Sequence, residues 1–438
     1  MKDAPSSGGT VTVKATPFLL APAILLVGLG ASLAGPYSAG RDDPAKADAP
    51  IPGFVGPDGE GGAPLQTGPD QFINAANYLN PLFFDWASSV VAYAPAPGVA
   101  SAWSNPTLTL GPVTGDNFHI ASLGDLSSAQ IAAGVPRGTL TLHFAHPIRN
   151  LSGADFCVFE NGFLTGSGGA TMLADLAYVE VSADGVNFAR FPSRSLTPGP
   201  VGSYGTIDPT NVRNLAGKHV NAYGDSWGTP FDLAELGLDS ISYIRLVDIP
   251  GSGAFLDSLG QPIYDAWLTT GSGGADIEAV GAISRLTTFD AWQDLRGLAG
   301  ADRGPDADPN ANGIPNLLEY AFSRLPLRTD TGPAPTQLET SAGRLQITFT
   351  RDERATDLTY EVQARDSLTP GQWTTIASST AGQPFQPAAG FAPVITETSA
   401  SLIASVGVIR KVRVADVLPI AGPTQRFMRV KVTAASAP

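Results

Sequence analysis

One twelve-residue segment carries oxygen donors at the spacing that a hard divalent cation requires. Calcium takes about six to eight oxygen ligands, and alternate residues of a tight loop can point carboxylate, amide and carbonyl oxygens at one centre. Gly313 stands where such a loop must turn sharply, and Glu319 stands where a following helix brings a carboxylate to the ion. The predicted calcium ligands are Asp308, Asn310, Asn312, the backbone carbonyl of Ile314, Asn316 and Glu319.

Only two side chains of this EF-hand-like loop, Asp308 and Glu319, carry charge, so we expect modest affinity, as in extracellular modules. The expected role of the ion is structural: it would clamp the helices on either side and set the angle between the flanking domains. The alternative is an Asp-, Asn-, Pro- and Gly-rich turn that caps the next helix and binds no metal.

The pattern predicts a helix on each side of the loop. Phe289, Trp292 and Leu295 recur at helical spacing, and Thr287 with Asp290 is typical of a capping box at the start of this helix. A second short helix is predicted from about Pro315 to Ser323, with proline in its first turn.

The chain before these helices has the pattern of a β domain. Residues 139–144 alternate apolar and polar side chains, residues 155–160 read as a buried strand, and residues 177–191 read as a hairpin with its turn at Asp184-Gly185. Short strands separated by long Gly- and Pro-rich loops predict a sandwich or jelly roll. The single cysteine, Cys157, lies in an apolar run and is predicted to be a core residue.

Alternation returns after about Leu338, as at Leu345, Ile347 and Phe349, and predicts a small immunoglobulin- or fibronectin-like sandwich. The predicted fold class is therefore mainly β. The predicted organisation is a signal peptide at 1–34, a flexible linker at 35–71, a β jelly-roll domain at 72–284, a helix–calcium loop–helix connector at 285–327 and a C-terminal β-sandwich at 338–438.

The N-terminus has the pattern of an export signal. Lys2 and Lys14 precede the apolar run 17–34, which ends in the small residues Ser32 and Ala34 of a cleavage site. We expect a secreted or cell-surface protein with no membrane span after cleavage. An uncleaved anchor is the alternative.

Charge and missing motifs restrict the function. The formal net charge is −14 with no basic stripe, which argues against nucleic acid as a partner. No hydrolase, P-loop or dinucleotide motif is present in the sequence, so we expect no enzyme activity. A secreted hydrolase with a carboxylate pair about 5–9 Å apart is the less favoured alternative.

The segment 308–322 resembles the DxDGDGxxNLLEYAxG segment of secreted bacterial surface proteins of the planctomycete, verrucomicrobial and PEP-CTERM types, itself similar to dockerin and thrombospondin type 3 calcium loops. Asn310 and Asn312 replace the usual aspartates. Residues 155–163 and 179–188 resemble a discoidin-like jelly roll, and the C-terminal part resembles the small sandwich that follows such loops. The resemblance implies an exported protein of structural or adhesive function.

The resemblance also implies a second calcium ion in the jelly roll. Its candidate ligands are Asp155, Glu160, Asn161, Asp276 and Glu278. Asp276 and Glu278 alternate in a predicted strand and would share one face. The alternative is that all five are edge and turn residues.

A glycan-binding module is the second functional hypothesis. Aromatic rings in loops can stack on sugar rings, and Tyr223, Trp227 and Trp267 are the candidate contacts. The alternative is that these rings close the open ends of the sandwich. The expected partners are a cell-surface glycan or another surface protein.

Overall fold

The structure, a computed structural model, describes residues 35–40, 43, 46–56, 59–65, 73–165, 171–324, 326–327, 334–369, 371–400, 407–420 and 425–435. The predicted signal peptide at 1–34 lies outside the described residues. Within the described ranges, no helix has both the length and the apolar character needed to cross a membrane. The predicted fold class is confirmed, because the chain consists mainly of antiparallel β-sheets that form sandwiches.

The N-terminal part is built from short strands joined by long loops. In chain order these strands are β1 (Ile51–Pro52), β2 (Phe54–Gly56), β3 (Gly59–Glu60), β4 (Tyr78–Leu79), β5 (Asp85–Trp86), β6 (Ser89–Ala94), β7 (Ala121–Ser122), β8 (Thr139–Arg149), β9 (Phe156–Glu160), β10 (Phe163–Thr165), β11 (Thr171–Leu173), β12 (Ala177–Ser182), β13 (Ala189–Arg190), β14 (Arg194–Ser195), β15 (Val212–Arg213), β16 (Leu215–Ala216), β17 (Trp227–Phe231), β18 (Ser240–Asp248), β19 (Ser252–Leu256), β20 (Pro262–Tyr264) and β21 (Asp276–Ala282). The connections contain the helix α1 (Ser128–Ala132) and 3₁₀ turns at Ser101–Trp103, Pro106–Thr109, Pro209–Asn211 and Leu233–Leu236.

Two antiparallel sheets face each other and enclose the core of this N-terminal sandwich. The first sheet has the order β1-β17-β9-β21-β5, with β7 also paired to β21, and the second has the order β13-β12-β18-β8-β6, with β16 on β12. Val158 and Val280 of the first sheet share one buried cluster with Leu142, Val179 and Ile244 of the second. Side chains alternate between the faces of a strand, so each sheet contributes one apolar face to this core.

The predicted hairpin at 177–191 is confirmed, since β12 pairs antiparallel with β13. Gly185 in its turn has a φ of +74°, a left-handed conformation that glycine adopts without strain. The carboxylate of Asp184 accepts hydrogen bonds from the backbone N–H groups of Val186 and Asn187, each at 2.8 Å. These bonds fix the turn that joins the two strands.

The prediction of a flexible linker over 35–71 needs correction for the described residues of that range. Ile51 is fully buried and pairs with Gly228, so that β1 extends the first sheet. The backbone carbonyl of Asp48 lies 2.9 Å from Nε2 of the buried His219. Proline and glycine here give an irregular path over the sandwich, and the buried apolar side chains keep that path in the fold.

Two helices and a 3₁₀ turn connect the sandwiches: α2 (Phe289–Leu295), Gly300–Asp302 and α3 (Asn316–Ala321). Both predicted helices are confirmed, but the predicted capping box is wrong. The N-cap of α2 is Thr288, whose hydroxyl accepts a hydrogen bond from the N–H of Ala291 at 3.3 Å. An alanine at this third position has no side-chain acceptor to complete a capping box.

The C-terminal sandwich consists of two four-stranded sheets of order β22-β23-β28-β27 and β26-β25-β24-β29. Its strands are β22 (Thr336–Ser341), β23 (Arg344–Asp352), β24 (Leu358–Arg365), β25 (Thr374–Thr380), β26 (Gln386–Pro387), β27 (Val394–Ser399), β28 (Ile409–Pro419) and β29 (Phe427–Ala434). Phe349 and Val414 of one sheet and Tyr360 and Ile376 of the other are buried in the same core, as the predicted alternation requires.

A buried arginine joins the two sandwiches. Arg354 is 2% exposed, and its guanidinium forms an ion pair with Asp352 in the C-terminal sandwich. The same guanidinium donates to the carbonyls of Leu82 at 2.8 Å and Ile283 at 2.9 Å, both in the N-terminal sandwich, and it lies 3.6 Å from the ring centre of Phe84. Residues Gly35–Pro438 accordingly form one compact unit.

We expect Arg354→Ala to lower the free energy of unfolding by about 3–5 kcal/mol, because it leaves Asp352 buried without its partner. Arg365→Ala is the matched control: its guanidinium hydrogen-bonds the carbonyl of Thr369 in an exposed loop, so the loss should stay below about 1 kcal/mol. Urea denaturation measures both values. Equal losses in the two variants would contradict this account of the joint.

Candidate metal loop and acidic cavity

The predicted calcium loop has the local geometry of a tight turn that gathers side-chain oxygens. Asp308 accepts hydrogen bonds from the N–H groups of Asn312 at 3.2 Å and Gly313 at 2.8 Å, through its two carboxylate oxygens. The side-chain oxygen of Asn312 accepts from the N–H of Ile314 at 2.8 Å. Gly313 has a φ of +82°, so the sharp turn falls at the predicted glycine.

Helix α3 brings the closing carboxylate to this loop. Glu319 is 1% exposed, and its Oε1 accepts from the side-chain amide of Asn312 at 2.8 Å and from that of Asn310 at 3.4 Å. Its Oε2 lies 3.4 Å from Nε of Arg324. The two amide groups therefore meet the carboxylate where a cation would sit. A half-turn of each amide would present oxygen to that cation and would break the hydrogen bonds that these oxygens accept from the N–H groups of Asn312 and Ile314.

The structure brings together four of the six predicted ligands: Asp308, Asn310, Asn312 and Glu319. Asn316 has a different contact, because its amide donates to the carbonyls of Asp302 at 2.7 Å and Gly304 at 3.1 Å. It ties the start of α3 to the 3₁₀ turn. Ile314 follows the turn as predicted.

The oxygen donors of the loop fit a hard cation, which the loop would bind with modest affinity. In the described part of the chain, no three His, Cys, Asp or Glu side chains meet closely enough to hold a metal ion. The loop does not need such a triad, because two carboxylates are joined by amide and carbonyl oxygens, which calcium accepts. A zinc or iron site would need imidazole or thiolate ligands that this loop lacks.

The five residues predicted to form the second calcium site do not lie together, so this prediction is wrong. Asp155 precedes β9 and its carboxylate accepts from the N–H groups of Leu151 at 3.0 Å and Leu233 at 2.7 Å, whereas Glu160 ends the same strand. Burial raises the pKa of Asp155 to about 7. Because a strand rises about 3.3 Å per residue, these two carboxylates lie at opposite ends of the sheet.

Glu278 is separated from Asp276 by an irregularity in β21. Ile277 opposes Glu160 and Ala279 opposes Phe159, so the residue between them has no opposite partner in β9. Such a bulge redirects a side chain and breaks the predicted alternation. The carboxylate of Glu278 instead accepts hydrogen bonds from the segment 114–115 and from an asparagine amide, which makes it a structural anchor.

The remaining members of that group line a cavity of about 290 Å³, called here the acidic cavity. It lies at the end of the N-terminal sandwich where β9 and β18 end and β12 and β21 begin. Glu160, Asn161 and Asp276 lie on its wall together with Asp175, which lies two residues before β12. Antiparallel pairing within each sheet places these strand ends at one edge, which explains their convergence.

Carboxyl groups dominate the polar lining of the acidic cavity, and their burial and mutual repulsion favour the protonated forms. Burial raises the pKa of Glu160 well above its usual range, and the charge of Asp276 raises it further. Burial raises the pKa of Asp276 to about 8, although nearby serine hydroxyls oppose the shift. For Asp175, burial and then the charges of Asp265 and Glu160 raise the pKa. The described residues that line the cavity include no Lys, Arg or His.

Buried oxygens near the cavity lack hydrogen-bond partners among the described residues. They are Oδ1 of Asn161, Oδ2 of Asp248 and Oδ1 of Asp276. Asp248 is 0% exposed, and its charge raises the pKa of Asp175 and of Glu160. An unsatisfied buried oxygen costs free energy, so these groups reduce the stability of the ligand-free protein.

The three aromatic residues predicted as glycan contacts do not form one surface. Tyr223 lines the acidic cavity, edge-on to the ring of Phe163 at 5.1 Å. Trp227 is a strand residue, 5% exposed, whose indole covers Gly61 so closely that a Cβ there would lie 2.1 Å from the ring. The indole N–H of Trp267 donates to a backbone carbonyl at 3.0 Å. The prediction therefore needs correction for Trp227, whose ring is packed in the sandwich, whereas Trp267 lies outside the lining of the acidic cavity.

The sequence did not predict several residues of the cavity wall, among them Asp175, Trp103, Phe118 and Tyr204. They come from connections far apart in the chain, and no local spacing shows that these connections meet. The available signal was the exposure of large aromatic rings in Gly- and Pro-rich loops, and that signal also marks many surface residues. The topology of the strand ends was needed to place them.

No known family model matches the chain, and no curated protein is similar enough to count as a relative. The loop and the cavity are therefore the two features that indicate a function.

We expect Asp175→Asn to stabilise the ligand-free protein at neutral and alkaline pH. A carboxyl whose pKa is raised in the folded protein lowers the free energy of unfolding as the pH rises from its ordinary pKa near 3.8 through its folded pKa, and an amide does not titrate. The gain should grow as the pH rises, because only the wild type then has to ionise this carboxyl in the folded state. Urea denaturation in the presence of a chelator measures it.

Asp184→Asn is the control with the opposite sign. Hydrogen bonds from Asn187 and Val186 hold the pKa of Asp184 well below its usual range, so losing that charge should destabilise the turn. If Asp175→Asn lowers stability as Asp184→Asn does, the carboxylate of Asp175 stabilises the fold, and its burial needs another explanation.

Proposed function

We propose that the protein is an exported surface protein of structural or adhesive function whose two β-sandwiches are held together by a calcium-bound connector. The observation that supports this best is the convergence of Asp308, Asn310, Asn312 and Glu319 in a loop closed by a buried carboxylate. A passive module suits this arrangement, since extracellular calcium is constantly high and a weak site stays occupied.

The connector links the ion site to the C-terminal core. Directly after Glu319, α3 carries Tyr320, which is buried beside Phe289 and Trp292 of α2. The hydroxyl of Tyr320 donates to the carboxylate of Asp357 at 3.0 Å. An ion that fixes Glu319 therefore also fixes the helix end that enters this aromatic cluster, which is how calcium would stabilise the whole unit.

The partner of such a protein would be a cell-surface glycan or another surface protein. The net charge of −14 disfavours nucleic acid and anionic lipid surfaces, because both carry negative charge. The export signal proposed at 1–34 would deliver the chain to a compartment where calcium fills the loop.

Calorimetric melting with and without a chelator tests this function. A ligand that binds the folded state stabilises it by about 2.7 kcal/mol at a concentration 100-fold above Kd, so calcium should raise Tm. Glu319→Gln should remove most of the calcium-dependent shift, because the closing charge is lost. Glu339→Gln, at an exposed carboxylate in β22, should keep the full shift. A wild-type transition that the chelator leaves unmoved would overturn the proposal.

A further inference from the structure

We propose that the acidic cavity binds an organic cation, an ammonium or guanidinium group carried on a small apolar body. This goes beyond the calcium-dependent function, because the cavity lies in the N-terminal sandwich and shares no residue with the loop 308–319. The volume of about 290 Å³ suits a small molecule or one side chain of a partner.

The charge balance of the cavity favours a cation as the ligand. Glu160, Asp175 and Asp276 line the cavity, and Asp248 adds a fourth carboxyl behind them. No described lining residue is basic, so nothing on the wall compensates Glu160, Asp175 and Asp276 when they ionise, whereas Asp248 has the charge of Arg137 nearby. A neutral ligand such as a sugar would leave that imbalance in place. A positively charged ligand would remove it and would gain charge-assisted hydrogen bonds in a partly desolvated site.

The unsatisfied oxygens are the second argument. Oδ1 of Asp276 and Oδ1 of Asn161 are buried at the cavity wall with no hydrogen-bond partner among the described residues, and Oδ2 of the fully buried Asp248 is in the same condition. An ammonium group offers up to three N–H donors and a guanidinium offers five. Acceptors without donors are the complement of such a ligand.

The aromatic wall is the third argument. Trp103 and Phe118 stack with ring centres 5.8 Å apart, and Tyr223 and Phe163 meet edge-to-face at 5.1 Å. Tyr204 is 75% exposed beside them. Aromatic faces attract cations and also cover apolar groups, so one wall accommodates both parts of the proposed ligand.

The spread of the carboxylates favours an organic cation over a metal ion. Metal binding needs several oxygens at about 2.0–2.6 Å from one point. No described group of three acidic, histidine or cysteine side chains converges in this way, at the cavity or elsewhere. Oε1 of Glu160 is already engaged by the N–H of Asp276 at 3.1 Å, and its Oε2 by the N–H of Gly162 at 2.9 Å. Separate acceptors around an open volume suit a larger cation.

Isothermal titration calorimetry of the full chain, saturated with calcium, tests the proposal. The probes are phenethylamine, choline and arginine methyl ester, with N-acetylphenethylamine as the neutral match and methyl glucoside as a sugar. We expect at least one cation to bind, with affinity falling as salt rises, and neither neutral probe to bind. Asp175→Asn should weaken cation binding by about tenfold or more, and Tyr204→Ala by about threefold.

Glu339→Gln, which removes a distant exposed carboxylate, is the control and should bind as the wild type does. Because Asp175→Asn is expected to be more stable than the wild type, lost binding cannot be ascribed to unfolding, and a melting curve checks this. The proposal is overturned if no cation binds, if Asp175→Asn binds as well as the wild type, or if the sugar binds and the cations do not. It is also overturned if calcium itself fills the cavity, seen as a second calcium site that Asp175→Asn abolishes.

The two proposals fail in different experiments. A melting transition that the chelator does not shift would contradict the calcium loop and would leave the proposal of amine binding unaffected. A titration with amines that releases no heat of binding would contradict the cavity site and would leave the proposal of the calcium loop unaffected.

Discussion

The burial of one carboxylate, that of Glu319, constrains the connector between the sandwiches. A buried charge destabilises a fold unless it is compensated, and here the amides of Asn310 and Asn312 and the guanidinium of Arg324 surround it. The same helix turn places Tyr320 in the aromatic cluster of the C-terminal core. The position of α3 in this core and the shape of the loop are therefore set by the same few residues.

Loop and cavity follow one physical rule with different geometries. In both, the chain gathers several oxygen acceptors, of which Glu319 in the loop and Glu160 in the cavity are buried. In the loop, alternate side chains of a single turn converge on one point, which suits a small hard ion. In the cavity, Glu160, Asp175 and Asp276 come from the ends of strands in two facing sheets and surround a volume. The spacing of the acceptors decides the kind of cation that each site can hold.

Local patterns allowed much of the fold to be predicted. Alternation identified the strands that became β8 and β23, the Asp184-Gly185 turn identified the hairpin that contains β12, and the position of Gly313 identified the turn of the loop. The predictions failed where contacts between residues distant in the chain determine the structure. A bulge in β21 separates Glu278 from Asp276. Pairing of β1 with β17 places Ile51, which belongs to a Pro- and Gly-rich segment, in the first sheet. The cavity depends on which strand ends share an edge, and a single sequence does not show this.

A crystal structure of the protein grown with calcium tests the central claim most directly. The account predicts anomalous density inside the loop, with oxygens of Asp308, Asn310, Asn312 and Glu319 at about 2.3–2.6 Å from it. Both asparagine amides should then direct oxygen to the ion instead of donating N–H to Glu319. A loop without density, in which the two amides still donate to the carboxylate, would contradict the account.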